Sequence, residues 1–171
     1  MNSGKAAARW VATYGMLIGL ACIFSYVEAI VPVPIPIPGV KLGLANLVAI
    51  VGLYTIGVRG TVAVSLVRIV FVGFTFGNAS SMIYSMAGGI VSLTLMILFR
   101  KLNWFSQIGV SIIGGIGHNI GQLTMAALIT QTAGVFYYLP FLMVAGVVAG
   151  ALIGLLGGLV TERVRKIIKK V

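Results

Sequence analysis

Short breaks divide the chain into apolar stretches of about twenty residues. A helix of that length crosses the ~30 Å hydrocarbon core of a membrane. The pattern predicts six spans, at about 10–31, 41–56, 61–76, 81–99, 108–129 and 138–160, followed by a basic tail, 161–171. These spans, their short connections and the two ends account for all 171 residues. We therefore expect one all-α membrane domain, 1–171, with no separate soluble domain.

Composition agrees with this interpretation. Hydrophobic residues make up 60% of the chain and charged residues 8%, which is too little charge to cover a soluble domain. The first apolar run lacks a small-residue cleavage site and leads into further spans, so we expect it to remain as a helix rather than act as a removable signal peptide. The lone Cys22 is expected to be a packing residue.

The charges are unevenly distributed. Twelve Lys and Arg stand against two Glu and no Asp, a net charge of +10. In a soluble protein this excess would suggest nucleic acid, but in a membrane protein it marks the cytoplasmic ends of the spans. Basic residues occupy the N-terminus, the second and fourth connections and the tail, whereas the alternate connections contain only Lys41 or none. The pattern predicts a multi-pass protein of the cell membrane with both termini cytoplasmic.

Glycine is abundant, with 23 residues. Helices associate in lipid through close backbone approach at small residues, so most glycines are expected to pack helices within the bundle. Gly15 and Gly19, four apart on the first span, are the candidates for the alternative, a docking face for another membrane protein.

Ionisable and amide groups at membrane depth are the candidate site. Burying an ionisable group there costs about 2.5–3.5 kcal/mol on insertion scales, so each one needs a partner, a cavity or a function. His118 and Gln122 are four apart on one helix face, with Asn119 at its edge. All candidates lie at mid-depth or in the outer half. The candidates for substrate binding are Glu28, Lys41, Asn46, Arg68, Asn78, His118, Asn119 and Gln122.

This distribution predicts a polar pocket that opens outward. Cationic candidates outnumber Glu28, so the small-molecule ligand is expected to have an anionic part, and Arg68 suits a carboxylate or phosphate. Structural alternatives stay open. Glu28 and Lys41 could form an ion pair that holds the first loop, Arg68 could bind carbonyls of a broken helix, and His118 could be a satisfied donor between helices.

Catalytic chemistry is not expected. The sequence has no Gly-x-x-x-x-Gly-Lys-Ser/Thr loop for ATP. It has no Asp, and its two Glu lie at opposite ends of the bundle, so carboxylates cannot hold Mg²⁺ for diphosphate chemistry. We predict no catalytic residues, no metal site and no cofactor. Expected partners are the ligand and membrane lipid, not nucleic acid.

Several segments resemble the Gx transporter family, which is also labelled heptaprenyl diphosphate synthase component I, along nearly the whole chain. That family is similar to the S components of energy-coupling factor (ECF) transporters. The segments are Ser25 to Glu28, the proline run with Pro38 to Asn46, Gly88 to Leu93, Gly117 to Gln122 and Tyr137 to Pro140.

The resemblance implies a six-helix protein that captures a vitamin or related micronutrient from outside. It also implies an ECF module as partner, made of a coupling membrane protein and two ATPases. S components usually dock through Ala-x-x-x-Ala on the first helix, where this chain has Gly15-x-x-x-Gly19. Two alternatives remain: a non-catalytic membrane subunit of heptaprenyl diphosphate synthase, and a scaffold in a quinone or redox pathway.

Overall fold

The described part of the chain is helical. A computed structural model describes residues 3–30 and 43–169, and it contains no strand within those ranges. The predicted all-α class is confirmed. The elements are α1 (Ser3–Ile30), α2 (Asn46–Thr55), α3 (Gly57–Thr75), α4 (Ala79–Leu102), α5 (Gln107–Thr130), a 3₁₀ helix (Ala133–Tyr138) and α6 (Leu139–Lys169).

Five segments within the described ranges are long and apolar enough to cross a membrane. They are Trp10–Ile30, Gly57–Thr75, Ala79–Leu102, Gln107–Thr130 and Ala133–Lys166. Large apolar side chains cover their outer faces, such as Phe74 on α3, which is 80% exposed. An apolar exterior of this extent is stable in lipid but not in water. The chain is a multi-pass membrane protein.

The predicted second span, 41–56, is present only as the ten-residue helix α2. A helix of that length is roughly 15 Å long, half of what a span requires. Gly43 has a φ of +87°, in the left-handed region, so an α-helix cannot run through it. The prediction from hydropathy included Gly43 in the second helix. In the structure that helix begins only at Asn46. Lys41 lies outside the described residues.

Other boundaries differ only slightly from the predictions. The connection predicted between 56 and 61 is shorter in the structure, because α3 already begins at Gly57 and Arg59 lies in its first turn. Arg100 and Lys101 form the last turn of α4, where the helix dipole favours cations. The basic tail continues α6 as helix to Lys169.

Helix α2 lies at the centre of the bundle and contacts all five long helices. Seven of its ten residues are buried. Ile50 and Leu53 have no exposed surface, and they belong to one core cluster with Leu17 of α1, Met96 of α4 and Val110 of α5. The long helices therefore form a shell around a short buried helix.

Glycines bring α4, α5 and α6 close together. A Cβ atom built on Gly115 would lie 2.6 Å from the Gly146 carbonyl oxygen, and one on Gly121 would lie 2.7 Å from the Ala87 oxygen. Such distances leave no room for a side chain. The expectation that most glycines pack helices inside the bundle is confirmed at these positions.

Candidate functional site

A buried carboxylate binds the backbone where the chain turns into α2. The N–H groups of Gly43 and Leu44 both donate to Glu28 Oε1, the second at 2.7 Å. Glu28 is 7% exposed, near the end of α1. Asn46 N–H in turn donates to the Gly43 oxygen at 2.8 Å and closes the turn. The start of a helix attracts negative charge, so Glu28 occupies a natural anion position inside the bundle.

Arg68 approaches the same carboxylate from α3. Its side chain is 6% exposed, and its Nη1 donates to Ser25 Oγ at 3.4 Å. The charge of Glu28 also acts on the guanidinium. Ser25 and Glu28 are three apart and share a face of α1, which is the face turned toward Arg68. A charge that would be costly in lipid is therefore buried among polar groups of a neighbouring helix.

His118 reaches this region from α5. Its Nε2 lies 3.0 Å from Gln122 Nε2 in a hydrogen bond, and both side chains are buried. Two glycines flank the ring: a Cβ on Gly43 would lie 3.0 Å from its Cδ2, and a Cβ on Gly88 would lie 2.8 Å from its Nδ1. The N–H of Gly43 thus binds Glu28, and the Cα of Gly43 packs against the ring of His118.

Asn46 completes this group of side chains. It is buried, and its Nδ2 finds no hydrogen-bond acceptor in the part of the chain that the structure describes. A buried donor left unsatisfied costs about 1–3 kcal/mol. We name Glu28, Asn46, Arg68, His118 and Gln122, gathered around Gly43, the α2-start cluster.

Two predicted site residues do not join the α2-start cluster. Asn119 faces α6, where its Nδ2 donates to the Leu142 carbonyl oxygen at 2.6 Å. Asn78 is exposed and caps α4, since its Oδ1 accepts the Ser81 N–H at 2.7 Å. An N-cap of this kind stabilises a helix by about 1 kcal/mol and needs no ligand to explain it.

Sequence reasoning missed three residues of the site: Ser25, Gly43 and Gly88. Ser25 carried a signal, because it precedes the candidate Glu28 by three positions on a helix. Gly43 and Gly88 lie in segments that carry the family resemblance, but only the assembled bundle shows that His118 lies between them.

The outward-opening pocket stays a prediction, because residues 31–42, which join α1 to the cluster, lie outside the described residues. Two cavities lie on the surfaces of α3 and α4, and neither includes a cluster side chain. Their linings are almost wholly apolar. The hydrogen bonds and close approaches described above connect Glu28, Asn46 and His118 through Gly43. Among the described residues, no three His, Cys, Asp or Glu side chains group together as a metal site would require.

The proposed docking glycines lie on the open side of α1. A Cβ on Gly15 or on Gly19 would meet no atom within 4 Å in the described structure. These two glycines therefore do not pack α1 against the described helices, unlike Gly115 and Gly121 of α5 and Gly146 and Gly150 of α6.

These features define a multi-pass helical membrane protein with a polar site buried where a short internal helix begins. The sequence model of a family described as heptaprenyl diphosphate synthase component I matches residues 17–160. The chain belongs to that family, as the sequence segments predicted. The description is of one component of a synthase, in line with the expectation that this chain is not itself an enzyme. No curated protein and no solved structure matches the chain significantly.

Proposed function

We propose that this chain is a substrate-binding membrane subunit, the S component of an ECF-type importer. It captures a small, partly anionic micronutrient or cofactor precursor from outside the cell. The observation that supports this proposal is the α2-start cluster. In membrane transporters, discontinuous helices that begin inside the bundle direct their N-terminal ends at anionic substrate groups.

The contacts of Glu28 suggest how an anionic ligand binds. Its carboxylate accepts two backbone N–H groups and lies close enough to Arg68 to act on its charge. A ligand carboxylate or phosphate has the same acceptor geometry and pairs with the planar guanidinium in a fork. The Nδ2 of Asn46 offers a further donor. The ligand enters when the turn at Gly43 moves away from Glu28 and His118, and the site closes again over it.

This function requires a defined orientation of the protein in the membrane. Both termini face the cytoplasm, as the distribution of Lys and Arg predicts, with α2 forming part of a sixth crossing between α1 and α3. The α2-start cluster then belongs to the outer half. The open glycine face at Gly15 and Gly19 docks on the coupling membrane protein, whose two ATPases supply the energy for release inside.

Retention of small molecules tests the binding site. We expect Arg68→Ala and His118→Ala to abolish retention of the ligand while the purified variants remain folded and inserted. Arg59→Ala removes an exposed cation outside the cluster and is the matched control, which should retain the ligand as wild type does. The measurement is mass spectrometry of small molecules extracted from gently purified protein. Unchanged retention by both cluster variants would remove the site assignment.

The family description supports a second candidate, a non-catalytic membrane subunit of heptaprenyl diphosphate synthase. Co-purification of partner proteins distinguishes the two candidate functions. An S component should bring down a membrane protein and two ATPases. A synthase subunit should bring down a soluble prenyl diphosphate synthase and raise its rate.

Leucine substitutions at Gly15 and Gly19 test the docking surface of α1 under either candidate function. Gly15→Leu and Gly19→Leu should lose the partner, because a bulky side chain prevents close backbone approach. Gly158→Leu also adds leucine at a glycine with nothing within 4 Å, but on α6, and should keep the partner. Equal co-purification by all three variants contradicts docking at α1.

A further inference from the structure

Two arginines converge on Tyr54, at the end of α2 opposite the α2-start cluster. Arg165 of α6 donates to the Tyr54 carbonyl oxygen through Nε at 3.1 Å and through Nη2 at 2.9 Å. Arg100 of α4 lies over the Tyr54 ring, with its Cζ 4.9 Å from the ring centroid. Each guanidinium is thereby held in place by a neutral group, and each keeps N–H donors for another acceptor.

The chain has little negative charge to offset these cations. It contains two acidic residues, and Glu28 is buried at the far end of α2. Glu162 is the other, and it shares this end of the bundle with four further exposed cations: Arg59, Lys101, Arg163 and Lys166. No ion pair to either guanidinium occurs among residues 3–30 and 43–169 of the structure. Both guanidinium groups therefore remain available to an anion from outside the chain.

The surroundings indicate the source of that anion. Trp104 and Phe105 follow Arg100 closely in the chain, and both pack edge-on against Phe99. Trp104 is 70% exposed. Exposed tryptophan at the end of a span lies at the level of the lipid headgroups. A free inorganic anion has no apolar part that could pack on these rings, whereas the glycerol and upper acyl region of a lipid packs on them.

We propose that Arg100, Arg165 and Tyr54 form a binding site for the phosphate of an anionic phospholipid. Guanidinium groups bind phosphate oxygens in pairs, and basic pockets between membrane helices hold anionic headgroups. Through Tyr54, the bound lipid joins the end of α2 to α4 and α6. This site is independent of the proposed ligand site, which lies at the other end of α2.

Lipid retention by native mass spectrometry tests the proposal. The full chain is reconstituted in equal parts of phosphatidylglycerol and phosphatidylcholine and then gently delipidated. Wild type should retain one phosphatidylglycerol with roughly tenfold preference, as two arginines near a charged headgroup allow. Arg100→Ala with Arg165→Ala should lose that preference. Arg59→Ala with Lys101→Ala removes the same charge at the same end and should keep it.

If the double alanine variant does not fold, Arg100→Lys with Arg165→Lys replaces it. This variant keeps both charges but loses the planar forks, so the preference should still fall. Equal retention in the test and control variants overturns the site. Displacement of the lipid by millimolar inorganic phosphate, or binding of an acidic protein instead of lipid, overturns its assignment to a phospholipid.

Discussion

Glu28→Gln is expected to destabilise the protein by about 1–3 kcal/mol, because it removes the negative charge from the face of α1 that Arg68 contacts. The change also replaces a charged acceptor of the Gly43 and Leu44 N–H groups with a neutral one. The chain supplies a close control. Its only other acidic residue, Glu162, is exposed, and Glu162→Gln should change stability by less than about 0.5 kcal/mol. Unfolding in mixed micelles at increasing denaturing detergent measures both.

A double variant separates charge from packing. Glu28→Gln with Arg68→Met removes both charges, and Met fills much of the volume of Arg. Replacing two buried opposite charges with neutral groups of similar volume is often close to neutral, so this protein should be more stable than Glu28→Gln alone. It should nevertheless fail to retain the ligand. If Glu28→Gln costs no more than Glu162→Gln, the buried carboxylate does not hold α2 in place.

Gly150→Ala is expected to lower the free energy of unfolding by about 1–3 kcal/mol, because the added methyl group overpacks the contact between α5 and α6. A Cβ at Gly150 would lie 2.6 Å from Ile112 Cα, which is backbone of α5 and cannot rotate away. The α5–α6 contact must therefore widen.

Gly158→Ala provides the matched control on the same helix. Nothing lies within 4 Å of a Cβ at Gly158, so alanine there should gain about 0.5–1 kcal/mol from its better helix propensity. The two variants should thus shift the unfolding midpoint in opposite directions. A gain for both would show that α5 and α6 are not in close contact at Gly150.

Hydropathy was sufficient to predict the long helices. Lipid cannot satisfy backbone hydrogen bonds, so apolar stretches of span length must become helices, and the fifth predicted span, 108–129, differs from α5 by one residue at each end. The same rule extended the second predicted span, 41–56, over Gly43, which is not helical in the structure, because hydropathy measures apolarity and not backbone conformation. Apolar residues that are buried inside a protein have the same hydropathy as apolar residues that face lipid. Most residues of helix α2 are buried inside the protein.

The site was predictable in its members but not in its geometry. Glu28, Arg68, His118 and Gln122 were identifiable because charged and amide groups are costly at depth. Their partners depend on how each helix is rotated. One residue along a helix turns the direction by about 100°, so Asn119 faces α6 while His118 faces Gly43 and Gly88. Contacts between distant segments of this kind leave no pattern in a single sequence.

The α2-start cluster is proposed to hold one small anionic molecule. Native mass spectrometry of the wild-type protein, released from gentle detergent, tests it most directly. The expected result is one bound molecule per chain, smaller than a phospholipid, which is absent from Arg68→Lys because lysine lacks the guanidinium fork. Lipid adducts alone in wild type, or an equal small adduct in Arg68→Lys, would contradict the claim.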